Sequence, residues 1–552
     1  MSYLLIILSA FLLNTANYFP SLYLFSWIGF LPLFFVFEQS LDSRQKLRLS
    51  SRKKDIISLI FDLKSYISNN RIFFKGWVFG LVYTALSAKF LYHSIYLYTN
   101  LNFFIIFFGL FVLFSLLALP YAVFFKLYFT VFGEVKALYF SAAWLVFTFL
   151  RYKLLYFFPI GYLAEAQAEF LHFIQLADLG GIWLLTFFLL FFNVLLYQIL
   201  FKKKNRFIYI TIVLMLALLI FSYGEYSLVK YQSPSPQEIS NRQQSSKNNR
   251  AEQKTILPNF LTQYITPAVN QEAELGLITT DIPQQEKWRS DNVSRNIEIT
   301  LAAAEELEGS RAVFAPETNI TFDITQSSRR KDFLQQIGDR FDVPLQIGSM
   351  AVREDGGGKY NSSFLISSAE IEGRYDKNRL VFFGEIFPFA DILTELTFNN
   401  YSFNSLKAGD QLKIFRAENL SWKTVICSEI LYTDLAAEKI GEADFIVNQT
   451  NEGWYRKDRV LNNMMWNNAV LRAVETRRSV LKVGNQAYDG LVYPSGNYIK
   501  TAENQLYHNL PADLNAQFTF YSSYYNYIEW FLIFLSTIFI IFTFLKIYLT
   551  KL

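Results

Sequence analysis

The sequence predicts a polytopic α-helical membrane bundle of about eight spans joined to a layered α/β domain. Three observations predict it. Of 552 residues, 52% are hydrophobic and 57 are phenylalanine, while 18% are charged. That balance excludes a disordered chain, a disulfide-stapled module and an ordinary cytosolic enzyme. Acidic residues are also segregated: Glu38, Asp42, Asp55, Asp62, Glu134, Glu165, Glu169, Asp178 and Glu225 precede residue 231, and the other 38 of 47 follow it. A carboxylate at the bilayer centre costs a few kcal/mol or more, so the asymmetry separates a membrane half from an aqueous half. Finally, from about Leu275 strand-like and helix-like segments alternate. The net charge of +4 gives no electrostatic reason to expect nucleic acid as a partner.

A span needs roughly 20 apolar residues. Candidates are 22–38, 73–98, 103–132, 182–200, 207–223 and 528–549, with shorter ones at 3–14 and 138–150. Residues 1–16 lack the basic n-region and small-residue cleavage site of a signal peptide, so the first candidate reads as a span. The domains expected are a bundle of about seven helices over 1–223, a linker and lead-in segment over 224–271, an α/β domain over 272–525 and a closing span within 526–552.

Positive charge sets the orientation. Arg44, Lys46, Arg48, Arg52, Lys53, Lys54, Lys64 and Arg71 follow the second span, Lys202, Lys203, Lys204 and Arg206 the sixth, and Lys546 and Lys551 flank the end of the last. With eight spans all of them fall on one side, the cytoplasm, and residues 224–527 lie outside. Residues 231–256, rich in Ser, Gln, Asn, Pro, Lys and Arg, read as a flexible linker. Beyond it, LGLITTDIP, RAVFAPET, PLQIGSM, NSSFLISS, KTVICSEI and DFIVNQT read as strands and VSRNIEITLAAAEEL as an amphipathic helix. Such alternation predicts a layered α/β structure.

The chain has one cysteine, Cys427, in the outer domain. It has no internal disulfide partner, and the commoner fate of a single cysteine is burial as a small hydrophobe. Its setting, an apolar strand ending at the thiol and followed by polar residues, is also how a fold presents a nucleophile. Of the three histidines, His93 and His172 lie in the membrane half and His508 near the end of the outer domain. No His/Cys cluster has metal-ligand spacing, so neither a metal nor another cofactor is expected. A carboxylate or lysine is the alternative base. Glu317 ends the strand Arg-Ala-Val-Phe-Ala-Pro-Glu, where apolar surroundings would favour a basic carboxylate. Lys377, in GRYDKNRL, is a cation that could hold an oxyanion. Taken singly, a residue of either kind is more often a surface or ion-pair residue.

Together, APET with Glu317, YDKNRLVFFGE with Lys377 and Glu385, and ICSEI with Cys427 stand in the order and approximate spacing of the Glu-Lys-Cys nitrilase (carbon-nitrogen hydrolase) superfamily. With the N-terminal bundle, DIPQQEKW (Asp281 to Trp288) and one closing span, the chain resembles the apolipoprotein N-acyltransferase family. The resemblance implies a nitrilase-like αββα sandwich in the bacterial inner membrane, facing the periplasm. It implies a ping-pong acyl transfer: Glu317 as general base, Cys427 as nucleophile forming a thioester, and Lys377 stabilising the oxyanion. The donor would be the sn-1 chain of a phospholipid and the acceptor the α-amine of a diacylated apolipoprotein. Glu385 and Glu429 would support Lys377 and the cysteine loop. Trp288 and Trp454 would stand near the substrates, and Phe387 and Phe389 would lie in an apolar arm (387–403) dipping into lipid. Phe158, Pro159 and Gly161 match the family's loop after the fifth span. No partner chain is demanded, and a monomer is expected.

The chain departs from the family pattern at Thr148, Ile160, Phe382, Ser428, Glu452, Gly453, Met464, Met465 and Gln486. Two other functions compete: a membrane-tethered nitrilase-type amidase, which must admit water where a transferase admits a lipid-linked amine, and a non-catalytic lipid- or lipoprotein-binding paralogue. A transporter would need intramembrane charge pairs and inverted halves, which the spans lack.

Overall fold

The structure, a computed structural model, describes residues 1–45, 71–99, 101–155, 159–202, 205–231, 271–325, 329–340, 342–352, 358–382, 384–386, 405–455, 458–502, 505–514 and 517–549. The chain divides into two compact units, Met1–Ser222 with Tyr524–Leu552, and Tyr223–Ser523.

The first unit is helical. Five helices among the described residues are long and apolar enough to cross a membrane: Pro20–Ser40, Phe103–Phe132, Ala177–Phe201, Arg206–Lys230 and Phe520–Phe542. The other expected spans take different forms. Residues 3–14 lie in the shorter apolar helix Ser2–Tyr18. Residues 138–150 lie in Ala137–Leu154, whose last turn carries Arg151 and Lys153. Residues 73–98 are not one helix but two, Arg71–Ser87 and Phe90–Thr99. The break has a local cause: the Tyr18 hydroxyl donates to the Leu86 carbonyl at 2.9 Å, beside a Lys89 ammonium lying over the Tyr18 ring. That carbonyl is the acceptor a continuing helix would use.

Small residues bring helices close, as lipid-immersed helices require. A Cβ on Gly80 would come within 2.9 Å of Tyr121 Cβ and 3.0 Å of Ala118 Cα, so Arg71–Ser87 lies directly on Phe103–Phe132. Polar groups here tie segments together. Asn193 donates to the Ser26 carbonyl at 2.9 Å and accepts from the Phe30 amide at 3.1 Å. The partly buried Arg151 donates to the carbonyls of Ile160 and Gly161 at 2.9 and 3.1 Å and lies over the rings of Tyr121 and Tyr162.

The second unit is a sandwich of two six-stranded sheets. Its strands are β1 (Gln271–Ile278), β2 (Ala312–Phe314), β3 (Leu345–Val352), β4 (Lys359–Ser367), β5 (Glu370–Asp376), β6 (Ile414–Ala417), β7 (Leu420–Ile426), β8 (Phe445–Asn451), β9 (Ser479–Asn485), β10 (Gly490–Val492), β11 (Tyr498–Lys500) and β12 (Tyr507–Leu514). One sheet runs β12-β1-β2-β3-β4-β5 and the other β11-β10-β9-β8-β7-β6. In each, a parallel centre (β1-β2-β3; β7-β8-β9) is flanked by antiparallel strands. All six strands and the helix read in the sequence are present, the helix as Val293–Glu305.

Alternate residues face opposite ways along a strand. Ala273, Leu275 and Leu277 of β1 therefore meet Leu420, Trp422 and Ile426 of β7 in the core between the sheets. On the far side, Val313, Leu345, Ile347 and Phe364 pack against helices Val293–Glu305 and Arg330–Arg340. Helix Arg459–Thr476 packs against β9 and β10 of the other sheet, completing four layers. Both faces of each sheet are covered, so the central strands are buried almost throughout and their sequences run apolar without strict alternation.

Candidate active site

Three of the sequence-selected residues emerge just past the carboxyl ends of strands. Glu317 follows β2, Lys377 follows β5, and Cys427 follows β7 as the first residue of a 3-10 turn, Cys427–Leu431. The two sheets contribute different members, Glu317 and Lys377 from one and Cys427 from the other, so the site depends on their packing face to face.

Lys377 is 1% exposed, its Nζ 2.9 Å from a Glu385 carboxylate oxygen and 3.6 Å from Glu317 Oε1. Asn361, on β4, donates one amide nitrogen to both carboxylates, at 2.7 Å to Glu317 and 2.8 Å to Glu385. Burial works against the charged lysine, but Glu385 and then Glu317 outweigh it and hold the ammonium pKa well above its usual value. Lys377 is therefore a permanent cation.

Cys427 is a partly buried residue and sits at φ 53°. For a side chain with a Cβ that conformation costs about 1–3 kcal/mol and persists only where neighbours enforce it. The enforcing contacts are on both sides: Asn448 donates to the Cys427 carbonyl at 3.1 Å, and the Glu429 carboxylate accepts from the Ile426 amide at 2.7 Å. Glu429 is fully buried and also accepts from the amides of Asn378 and Arg379, at 2.7 and 3.0 Å, and from the Tyr375 hydroxyl. One carboxylate thus pins the turn carrying the thiol to the turn following the lysine. Burial, then the Glu317 charge, pushes the Cys427 thiol up to about 12 despite the nearby Lys377. A thiol held so far above its ordinary range would need a base to take its proton before it could act as a nucleophile.

Glu317 is 6% exposed and stands on a tight turn. A Cβ on Gly348 would come within 2.5 Å of the Thr318 amide nitrogen and 2.7 Å of Glu317 Cα, so β3 can pass here only as glycine. Lys287, fully buried, donates to the Glu317 carbonyl at 3.1 Å. This brings the DIPQQEKW segment to the site. Trp288, next in the chain, is 41% exposed and Trp454 is 38% exposed. Phe387 and Phe389, with the arm 387–403, lie outside the described residues. Among the described residues no group of three or more His, Cys, Asp or Glu side chains could hold a metal ion.

Asn361, Lys287 and Gly348 do not stand out in the sequence. Only Lys287 carries a signal, its place in the DIPQQEKW segment. Asn361 is an ordinary strand residue until the fold brings β4 beside Glu317 and Glu385.

Residues 56–195 match the family model described as the apolipoprotein N-acyltransferase N-terminal domain. The chain is 24% identical over 253 residues to an apolipoprotein N-acyltransferase of Methylococcus capsulatus, covering 44% of this chain and 47% of that protein. It is 30% identical over 241 residues to that of Rhizobium leguminosarum, covering 40% and 44%. The chain is a relative of the apolipoprotein N-acyltransferases. The matched stretch spans about half the length of those relatives. Among solved structures it is similar to a CN-hydrolase superfamily protein of Xanthomonas campestris, at 13% identity and a TM-score of 0.33 over 44% of this chain and 91% of that one.

Proposed function

We propose that the chain is an acyltransferase that moves a fatty acyl group from a phospholipid to the N-terminal amine of a diacylated apolipoprotein, through a thioester on Cys427. The observation that carries this reading is the convergence of one thiol, one permanent cation and a buried carboxylate at the strand ends of two facing sheets. Glu317 takes the Cys427 proton as the sulfur attacks the sn-1 ester carbonyl. The Lys377 ammonium holds the oxyanion, and Glu317 returns the proton to the departing lysophospholipid. The acceptor's α-amine then attacks the thioester, Glu317 takes the amine proton, and the thiolate leaves and is reprotonated. A thioester yields to an amine far more readily than an oxygen ester does, and one site serves two bulky lipids in turn.

Glu385 and Glu429 act here as supports for Lys377 and the nucleophile turn, in keeping with their hydrogen bonds. Trp288, Trp454, Phe387 and Phe389 are proposed to contact the lipid substrates. The apolar helices support a multi-pass protein of the bacterial inner membrane. The basic segments support a periplasmic catalytic unit, acting as a monomer.

The test is to incubate purified protein with phospholipid and measure intact mass. An acyl adduct removed by hydroxylamine and abolished in Cys427→Ala is expected, followed by transfer to a diacylated lipopeptide. Folded protein that forms no adduct would overturn the proposal, and an adduct that releases only free fatty acid would make the protein a hydrolase.

A further inference from the structure

Thr450 lies at the end of β8, fully buried, directly opposite Gly484 of β9. A Cβ on Gly484 would come 2.5 Å from Thr450 Cγ2, so the threonine methyl occupies the space that the glycine leaves. A β-branched side chain has few χ1 choices. With the methyl fixed on Gly484, the hydroxyl is held toward two other groups. It donates to Glu452 Oε1 at 3.5 Å, and it lies beside Cys427: β7 and β8 pair in parallel with Ile426 opposite Gln449, so the residues that follow, Cys427 and Thr450, are neighbours. Glu452 does not depend on it: the carboxylate is buried against the Lys482 ammonium at 2.5 Å, and Lys482 also donates to the Tyr488 carbonyl at 2.9 Å.

A hydroxyl has one proton to give and two lone pairs to receive. While Cys427 is protonated, its S–H donates to Thr450 Oγ1 and the hydroxyl proton points to Glu452. When the thiol proton passes to Glu317, the sulfur becomes an acceptor. We propose that Thr450 is a positioning residue for the nucleophile, whose O–H then turns from Glu452 to the Cys427 sulfur and stabilises the thiolate. This rests on the reading of Cys427 as nucleophile given above. Thr450 gains and loses no proton, because its own stays on oxygen throughout. Little is lost in the turn, since a 3.5 Å contact is at the limit of a hydrogen bond and Glu452 keeps its lysine. When the sulfur is acylated the hydroxyl goes back to Glu452, and it returns to the sulfur when the amine expels it.

The other groups acting electrostatically on the thiol are Glu317, after β2, and Glu385, both of which oppose the thiolate, and Lys377, after β5, which favours it. Tyr455, on the turn after β8, is also electrostatically coupled to it. Thr450 and Tyr455 are neutral hydroxyls, and Thr450 is the one on the strand beside Cys427.

Because the chain has one cysteine, iodoacetamide alkylation of the detergent-solubilised full-length protein reads Cys427 alone. Rates between about pH 7 and about pH 9.5 compare wild type with Thr450→Val, which keeps the methyl, and Thr450→Ser, which keeps the hydroxyl. The valine variant is expected to react about tenfold more slowly throughout, as an upward shift of about one pKa unit requires. The serine variant is expected within about threefold of wild type. Melting curves check folding, and Thr450→Ala carries the comparison should the valine variant lose its transition. A valine or alanine profile that superposes on wild type, or a serine variant as slow as valine, overturns the proposal. If wild type forms no acyl adduct while these shifts occur, the acyltransfer reading fails and the assignment of Thr450 stands. If wild type forms the adduct while the profiles stay unmoved, the acyltransfer reading stands and the assignment of Thr450 fails.

Discussion

In the helical unit the partly buried Arg151 gives two donors to two backbone carbonyls and its flat face to two tyrosine rings. In the α/β unit the buried Lys377 meets two carboxylates, bridged in turn by one asparagine. Both arrangements keep a charge inside the protein, but they leave different chemistry behind. Carbonyls and ring faces fix a loop and carry no net charge. Two carboxylates around one ammonium leave a surplus negative charge, which can take a proton. The contrast separates a cation that holds structure from one whose surroundings suit the proposed chemistry.

The largest effect should come from breaking the second arrangement. Lys377→Met is expected to lower the rate of acyl-adduct formation by about 10²–10³, the range seen when one oxyanion donor is removed, and Glu317→Gln by about 10²–10⁴, the range for a positioned general base. Arg151→Gln should instead lower the melting temperature, with adduct formation per folded molecule reduced less than about tenfold. The comparison breaks if Arg151→Gln silences adduct formation at an unchanged melting temperature.

A smaller effect sharpens the same contrast through two glycines. At Gly348 an added methyl meets backbone atoms of Glu317 and Thr318 at 2.5–2.7 Å, which no rotamer change relieves. Gly348→Ala should cost about 1–3 kcal/mol of stability and displace the Glu317 turn, so adduct formation falls as well. At Gly80 the added methyl meets Tyr121 and Ala118 at 2.9–3.0 Å, between two helices that can part slightly. Gly80→Ala should shift the melting temperature less, and the two melting curves measured side by side decide the order.

What can be read from the sequence follows the same divide. Glu317, Lys377 and Cys427 stand out in the sequence because their order and approximate spacing resemble a known Glu-Lys-Cys pattern and because the chain has one thiol. Their supports do not. Asn361 acts through a fold-level meeting of β4 with β2 and with residues 384–386, which no local pattern encodes. The helix Arg459–Thr476 escapes a sequence reading for a related reason. It is buried on every face yet carries Asn462, Asn463, Asn467 and Asn468, so it lacks the apolar stripe that marks a helix at a surface. The strands β9 to β12 likewise go unread. In the helical unit, apolarity alone makes 73–98 one span, whereas a side-chain donor from a distant helix divides it.

Lys287 offers the mildest test, and a pH-dependent one. Burial lowers its ammonium to about 7 from a usual 10.5, with Glu317 only partly offsetting this. Between those two values the unfolded chain binds a proton that the folded chain does not, so folding stability rises with pH across the window. Below about 7 both states are protonated and the dependence from this group ends. Lys423 is lowered to about 7 in the same way, by burial beneath the carbonyls of Leu435, Ala436 and Glu438, and adds to the same slope. Comparing Lys287→Met with wild type isolates one share of it. The variant should show a shallower rise in melting temperature from about pH 7 to about pH 10. It should also lose some adduct formation, because the Glu317 carbonyl loses its donor. An unchanged slope would mean that Lys287 stays charged in the folded protein, and would place a second buried cation, after Lys377, beside Glu317.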